Sequence, residues 1–284
     1  MVSARRRAIL RQMARPPYIH RWTTLIVCTY VVVVLAATGL TYRAAPVAVA
    51  RPAAPAPVAP KAVPSSVLAG TAAPGRTVAL TFDDGPHPRY TPQVLDVLDE
   101  YRVPAVFCMV TGVARQYRDV VRDVIARGHA VCDHTSDHSA ALAGNSGDAI
   151  ATAMRASSAE LADAAGDPSL PIRFFRAPEG KWTTDLERGA AALGMRPLGW
   201  SVDSRDWTGV SEDTILRTIR SELGDGSVIL LHDGGGDRTT TVAVLRELIP
   251  WLRDHGYRFV LPDETADPPR PTRDARIADA ATGP

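Results

Sequence analysis

The residues best equipped for chemistry fall in five short clusters. They are Asp83-Asp84-Gly85-Pro86, His134-Thr135-Ser136-Asp137-His138, Arg176-Ala177-Pro178-Glu179, Asp203-Ser204-Arg205-Asp206-Trp207 and Leu230-Leu231-His232. Two imidazoles separated by three residues share one face of a helical turn and can hold one cation. Taken alone, that spacing is more often a pair of surface or capping histidines. Asp83-Asp84 offers a third ligand and a spare carboxylate. In a regular strand the two would point to opposite faces, but Gly85-Pro86 ends the strand at once and lets both turn to its edge. The plain reading of Asp-Asp-Gly-Pro is an ordinary turn. Two His and one Asp leave positions open for water, as hydrolytic rather than structural metal sites do. The neighbouring carboxylate then stands as a base toward that water.

These clusters need a scaffold that brings five chain segments to one edge, and the pattern from 76 to 262 supplies it. Short apolar runs at 77–82, 104–110, 129–133, 172–176, 197–202, 227–232 and 257–261 read as strands buried in a parallel sheet. Helical patterns occupy 91–101, 113–127, 147–165, 183–193, 211–222 and 239–254. Thr183 and Ser211 are suited to N-caps, and Gly128, Gly194 and Gly256 to C-terminal stops. Alternating β and α segments imply an α/β barrel or an open doubly wound sheet. In both, the active site forms at the C-terminal edge of the strands, where the five clusters lie. Neither a GxGxxG nor a P-loop is present, so no organic cofactor is expected.

The 284-residue chain has a formal net charge of +1, but its charges are segregated. No Asp or Glu precedes Asp83, while ten of the 32 bases do, which leaves 22 bases against 31 acids from there on, a formal charge of −9. So acidic a domain is a poor binder of nucleic acid. Residues 1–22 carry six arginines and no acid, and 23–42 run uncharged. Twenty uncharged residues at ~1.5 Å each match a hydrocarbon core of ~30 Å, and flanking arginines hold that end in the cytoplasm. The expectation is a single-pass cell-membrane anchor with the rest of the chain extracytoplasmic. The rival is a cleaved signal peptide and a secreted protein, with Ala48-Val49-Ala50 as processing site. Residues 43–75, rich in Ala and Pro, read as an extended linker, and 263–284 as a disordered tail. Cys108 and Cys132 read as buried free thiols, with a bridge between them as the lesser alternative.

The five clusters, in this order, resemble the five motifs of the polysaccharide deacetylase family (the NodB-homology domain, carbohydrate esterase family 4). The resemblance spans roughly 76–262, and Thr81-Phe82-Asp83-Asp84-Gly85-Pro86 is its most specific part. It implies a distorted (β/α) barrel of about seven parallel strands, a divalent metal and removal of N-acetyl groups from glycans. It implies Asp84, His134 and His138 as ligands, usually of zinc; cobalt or nickel would also suit the donor set. It implies Asp83 as general base paired with Arg176, and His232 as general acid with Asp203 beside it. Asp206 is expected to form supporting hydrogen bonds. Trp207 and Leu230 would line a pocket for the acetyl methyl. Glu179 departs from the family, which often has Tyr after Arg-x-Pro; its backbone N–H survives, and its side chain is expected at the substrate. Peptidoglycan is the leading glycan, followed by chitooligosaccharides, with O-acetyl xylan and a non-catalytic wall-binding role as further alternatives. Gly234-Gly235-Gly236 reads as a flexible loop over the site, and His87, His129 and His255 as loop or structural residues.

Overall fold

Alternate residues of the first strand already divide the molecule into two layers. In the computed structural model, which describes residues 63–265, β1 (Thr77–Asp83) is buried throughout. Val78, Leu80 and Phe82 face outward into the larger core, against helix residues such as Val94, Leu98, Leu245 and Ile249. Ala79 faces a smaller inner core with Val106, Cys108, Cys132, Phe174 and Val228. Burial on both faces is why these strands are continuously apolar rather than alternating.

The remaining strands are β2 (Ala105–Met109), β3 (Ala130–Asp133), β4 (Phe174–Phe175), β5 (Arg196–Pro197), β6 (Val202–Asp203), β7 (Ser227–His232) and β8 (Arg258–Phe259). All pair in parallel, in the order β5-β4-β3-β2-β1-β7-β6, with β8 added on the start of β1. The α/β class and parallel sheet expected from the sequence are therefore present, with eight strands rather than seven. The helices are α1 (Tyr90–Tyr101), α2 (Thr111–Ala114), α3 (Arg118–Ala126), α4 (Gly147–Ala165), α5 (Thr184–Ala192), α6 (Glu212–Glu222) and α7 (Thr239–Asp254). The Thr183 and Ser211 hydroxyls accept from the backbone N–H of Leu186 and Thr214, capping α5 and α6.

Three expectations are corrected. The run 197–202 is not one strand, because the fully buried Arg176 takes the carbonyls of Leu198 and Gly199. Those carbonyls leave the ladder, and only β5 and β6 remain on either side. The single helix expected over 113–127 is two, α2 and α3. Cys108 and Cys132 are joined by a disulfide. They are register partners on adjacent strands with Cα atoms 4.2 Å apart, a proximity that no sequence spacing reveals.

The folded unit also begins before Arg76. Leu68 bridges to Leu198 and Gly70 to Ser227, so the last part of the segment assigned to the linker lies against the sheet. At the other end, Arg173 pairs with Asp263. The basic segment 1–22, the apolar run 23–42, most of the linker and the tail from 266 on lie outside the described residues. No helix among the described residues is long and apolar enough to cross a membrane.

Candidate active site

Five strand ends meet at one cleft of about 500 Å³, lined by residues from all five sequence clusters, including Asp83, Asp84, His134, Glu179, Asp203, Trp207, Leu230 and His232. The two neighbouring carboxylates reach it in different ways. Asp83 is the last residue of β1, on the inward-facing side with Ala79 and Thr81. Asp84 would point the other way in an extended chain, but its φ of +68° swings it to the same edge. A left-handed backbone is uncommon outside glycine, and the neighbouring turn holds it. A Cβ on Gly234 would lie 2.1 Å from the Asp84 carbonyl oxygen, and one on Gly235 2.7 Å from Asp84 Oδ2. The glycine run thus packs against the Asp84 backbone rather than serving as a loose cover.

His134 and His138 do not lie on a helix. They sit in an irregular loop after β3 in which Thr135 and His138 both have positive φ. The loop is hung on the β2–α2 connection: His134 N–H donates to the Met109 carbonyl, and Thr111 and Gly112 N–H donate to those of Thr135 and Ser136. Gly112 is required there, since a Cβ would come within 2.5 Å of the Ser136 oxygen. At the base of the loop, the buried Asp133 accepts from Thr135 N–H and the hydroxyls of Ser157 and Ser158. Burial pushes its pKa up to about 6, against the lowering by those donors. Glu160 of α4 also accepts from the Thr111 and Ser136 hydroxyls.

The donor set fits a divalent metal. One donor atom each of Asp84, His134 and His138 lie within 4.8 Å of one another. His134 Nδ1 lies 2.8 Å from the Arg176 carbonyl, so in the neutral ring Nδ1 carries the hydrogen and the Nε2 lone pair faces the carboxylates. That Nε2 is 3.7 Å from Asp84 Oδ1, and His138 Nε2 is 3.4 Å from the same oxygen. Asp84 Oδ1 is buried with no hydrogen-bond partner. An orphaned carboxylate oxygen facing two imidazole nitrogens is an arrangement that a cation completes.

Two charged pairs flank this triad. On one side Arg176 Nη1 donates to Asp83 Oδ1 at 2.6 Å and to the Thr81 hydroxyl at 3.0 Å, and its guanidinium lies 5.5 Å from the centre of the Trp200 ring. With both the Leu198 and Gly199 carbonyls also taken, the guanidinium is anchored on every side. On the other side His232 Nδ1 meets a carboxylate at 2.7 Å, and that carboxylate belongs to Asp206, not Asp203. Asp206 Oδ2 accepts from His232 N–H and the Thr241 hydroxyl, and Ser204 Oγ donates to Oδ1. Asp203 faces the cleft instead and accepts from Arg205 N–H. The cause is local: Arg205 has a φ of +58° and opens a 3-10 turn at Asp206–Thr208, which turns Asp206 inward. Burial lowers the His232 pKa, but Asp206, with Asp83 and Asp84, outweighs it and leaves it raised.

Trp207 is 55% exposed at the rim, while Leu230 is buried below. Glu179 lines the cleft from a turn with φ +55° and pairs with Lys181 at 2.7 Å. Asp233, given no role by the sequence, is fully buried beside Gly85 and accepts from Thr91. Burial pushes its pKa up to about 7.

Residues 70–198 match the family model for polysaccharide deacetylase. A chitooligosaccharide deacetylase of Sinorhizobium fredii is 39% identical over 66% of this chain and 90% of its own length. The chain belongs to the polysaccharide deacetylase family. A peptidoglycan-N-acetylglucosamine deacetylase of Bacillus cereus is 35% identical over 66% of this chain and 87% of its own. Among solved structures, the Bc1960 peptidoglycan N-acetylglucosamine deacetylase, in complex with an N-hydroxybenzamide, superposes with a TM-score of 0.63 at 33% identity, covering 70% of this chain and 93% of that one. The family resemblance drawn from the five motifs is thereby established.

Proposed function

We propose that the protein hydrolyses the N-acetyl groups of N-acetylglucosamine residues in a glycan. The observation that carries this is the arrangement of one cleft: a two-histidine, one-carboxylate donor set between an Arg-held Asp83 and an Asp-held His232. Names of the relatives point to peptidoglycan and chitooligosaccharides as substrate classes. Peptidoglycan leads if the chain is tethered beside a wall.

A divalent cation held by Asp84, His134 and His138, with zinc the expected ion, supplies Lewis acidity toward the acetyl carbonyl and acidifies water there. Asp83, paired with Arg176 at 2.6 Å, accepts the proton as water attacks. Glu179 contributes its backbone N–H to the developing oxyanion. An amine leaves poorly unless protonated, and His232, whose raised pKa favours imidazolium, gives the proton to the nitrogen. Asp206 holds the donor tautomer of that ring through Nδ1. Leu230 and Trp207 enclose the methyl group. Products are acetate and a glucosamine residue.

Acetate release from N-acetylglucosamine oligomers, with and without chelator, tests the reading alongside Asp83→Asn and His232→Ala. Loss with chelator, recovery with added zinc and loss of at least 100-fold in each variant are expected. A metal-loaded wild type that binds acetylated glycans and releases no acetate from any of them would sink it. Acetate from acetylated xylan alone would reassign it as an ester hydrolase.

We further infer that the domain works outside the cytoplasm, tethered by 23–42. The disulfide between Cys108 and Cys132 supports this, because such bonds persist in oxidising compartments. The untreated domain is expected in the membrane fraction, and protease added to intact spheroplasts is expected to remove it; a soluble, protected domain would refute the placement.

A further inference from the structure

The sheet order leaves β5 and β6 as its two end strands, so the barrel has a seam, and residues 198–201 cross it. A stretch ahead of β1 lies over this seam. Leu68 N–H donates to the Pro197 carbonyl and Gly199 N–H to the Leu68 carbonyl, both at 2.9 Å. Three residues on, Thr71 N–H donates to the Gly226 carbonyl at 2.8 Å, and the Thr71 hydroxyl lies 2.6 Å from that of Thr77. The segment 67–71 thus ties the end of β5 to the turn that opens β7. It belongs to the part of the chain whose composition reads as linker, and Val67 and Leu68 precede the family match, which begins at residue 70.

The peptides under this strap are the ones that hold Arg176. From inside the barrel, Arg176 Nε donates to the Leu198 carbonyl at 3.0 Å and Nη2 to that of Gly199 at 2.9 Å. Gly199 is therefore gripped from both sides, its carbonyl by Arg176 and its N–H by Leu68. Gly199 is buried, and a buried N–H left unpaired is costly, so the 198–199 segment depends on the strap to keep its place. The same guanidinium reaches Asp83 through Nη1. Any shift of 198–199 is passed to that carboxylate. The fit is close: a Cβ on Gly199 would lie 2.8 Å from Val67 Cγ1, while its next neighbours stand at 3.8 Å or more.

We propose that residues 67–71 position the base of the reaction, with Leu68 holding the 198–199 peptides, those peptides holding Arg176, and Arg176 holding Asp83. Val67 and Leu68 are positioning residues, and neither lines the cleft. The inference rests on the deacetylase reading and adds to it residues outside the five motifs.

The test uses the full-length, zinc-loaded protein. Its readouts are acetate release from an N-acetylglucosamine tetramer, well below each variant's melting midpoint, and hydrogen–deuterium exchange over residues 197–201. Gly199→Ala should push Val67 outward, speed exchange there and lower kcat about 10- to 100-fold, the scale of a small misplacement of a reacting group. KM and zinc content should hold. Adding Val67→Ala to Gly199→Ala removes the clash and should return kcat to within about threefold of the wild type, with exchange slowed again. Leu68→Pro lacks the N–H given to Pro197 and should lose kcat in like measure at the same KM. A wild-type kcat in Gly199→Ala, whether or not exchange quickens, overturns the positioning role. So does a loss that Val67→Ala does not recover, a loss carried by KM, or one that matches the unfolded fraction in thermal melts; each leaves the deacetylase reading intact. No acetate from the wild type overturns that reading, and with it the base that the strap positions.

Discussion

Replacing Asp206 by Asn removes one charge from the partner of His232 and little else in volume. The carboxylate takes the His232 ring at 2.7 Å and the His232 backbone N–H at 2.9 Å. Opposite charges about 4 Å apart interact by about 4 kcal/mol at an effective dielectric of 20, which is roughly three pH units at 1.36 kcal/mol each. Burial, the influence that lowers the imidazole pKa, stays in place. The sign follows: the acid must be protonated to act, its raised pKa keeps it so to higher pH, and without Asp206 the proton is lost earlier. The alkaline limb of kcat/KM should therefore move down by about one to three units, with kcat reduced by about 10²- to 10⁴-fold. Asp203→Asn should leave that limb where it is, because its carboxylate bonds Arg205 N–H and not the ring. The assay is acetate release across pH for both variants, with zinc content confirming intact sites. A limb that moves in Asp203→Asn and stays in Asp206→Asn would refute the assignment.

Arg176→Met should destabilise the fold by about 3–5 kcal/mol, since it leaves Asp83 as an unpaired buried carboxylate; Arg176→Lys should recover little of this in a thermal melt, because one ammonium does not span Asp83 and two carbonyls. Reducing the Cys108–Cys132 bond, which closes a loop of sequence separation 24, should cost about 3 kcal/mol in urea unfolding. Thiol titration in denaturant should find one free cysteine before reduction and three after; three before reduction would show the bond absent. His129 is buried, which lowers its pKa from 6.5 to about 4 despite the Asp99 carboxylate. The unfolded chain therefore binds the proton first. Stability should be full above about pH 6.5 and fall by up to about 3 kcal/mol as pH drops to 4. Denaturation at pH 7 and 4.5 should show a smaller difference in His129→Leu than in the wild type.

The kinds of residue at the site, and the edge on which they gather, were legible in the chain. Short apolar runs ending in Asp, His and Arg state that a sheet is buried and that its C-terminal edge is polar, because strand burial and the position of the following turn are local properties. The caps at Thr183 and Ser211 were legible for the same reason. What the linear order left open was set by contacts across the fold. Asp206 rather than Asp203 reaches His232 because a left-handed Arg205 opens the 3-10 turn that carries Asp206, which no spacing rule resolves. His134 and His138 converge through a loop hung on the β2–α2 connection, not through a helical face. The strand expected at 197–202 is broken because Arg176, distant in sequence, competes for its carbonyls. Cys108 and Cys132 become partners only through the register of β2 on β3. Sequence fixes which groups are available and roughly where each strand delivers them; pairing among groups from different strands depends on distances of a few ångströms, and those exist only once the sheet has closed around its core.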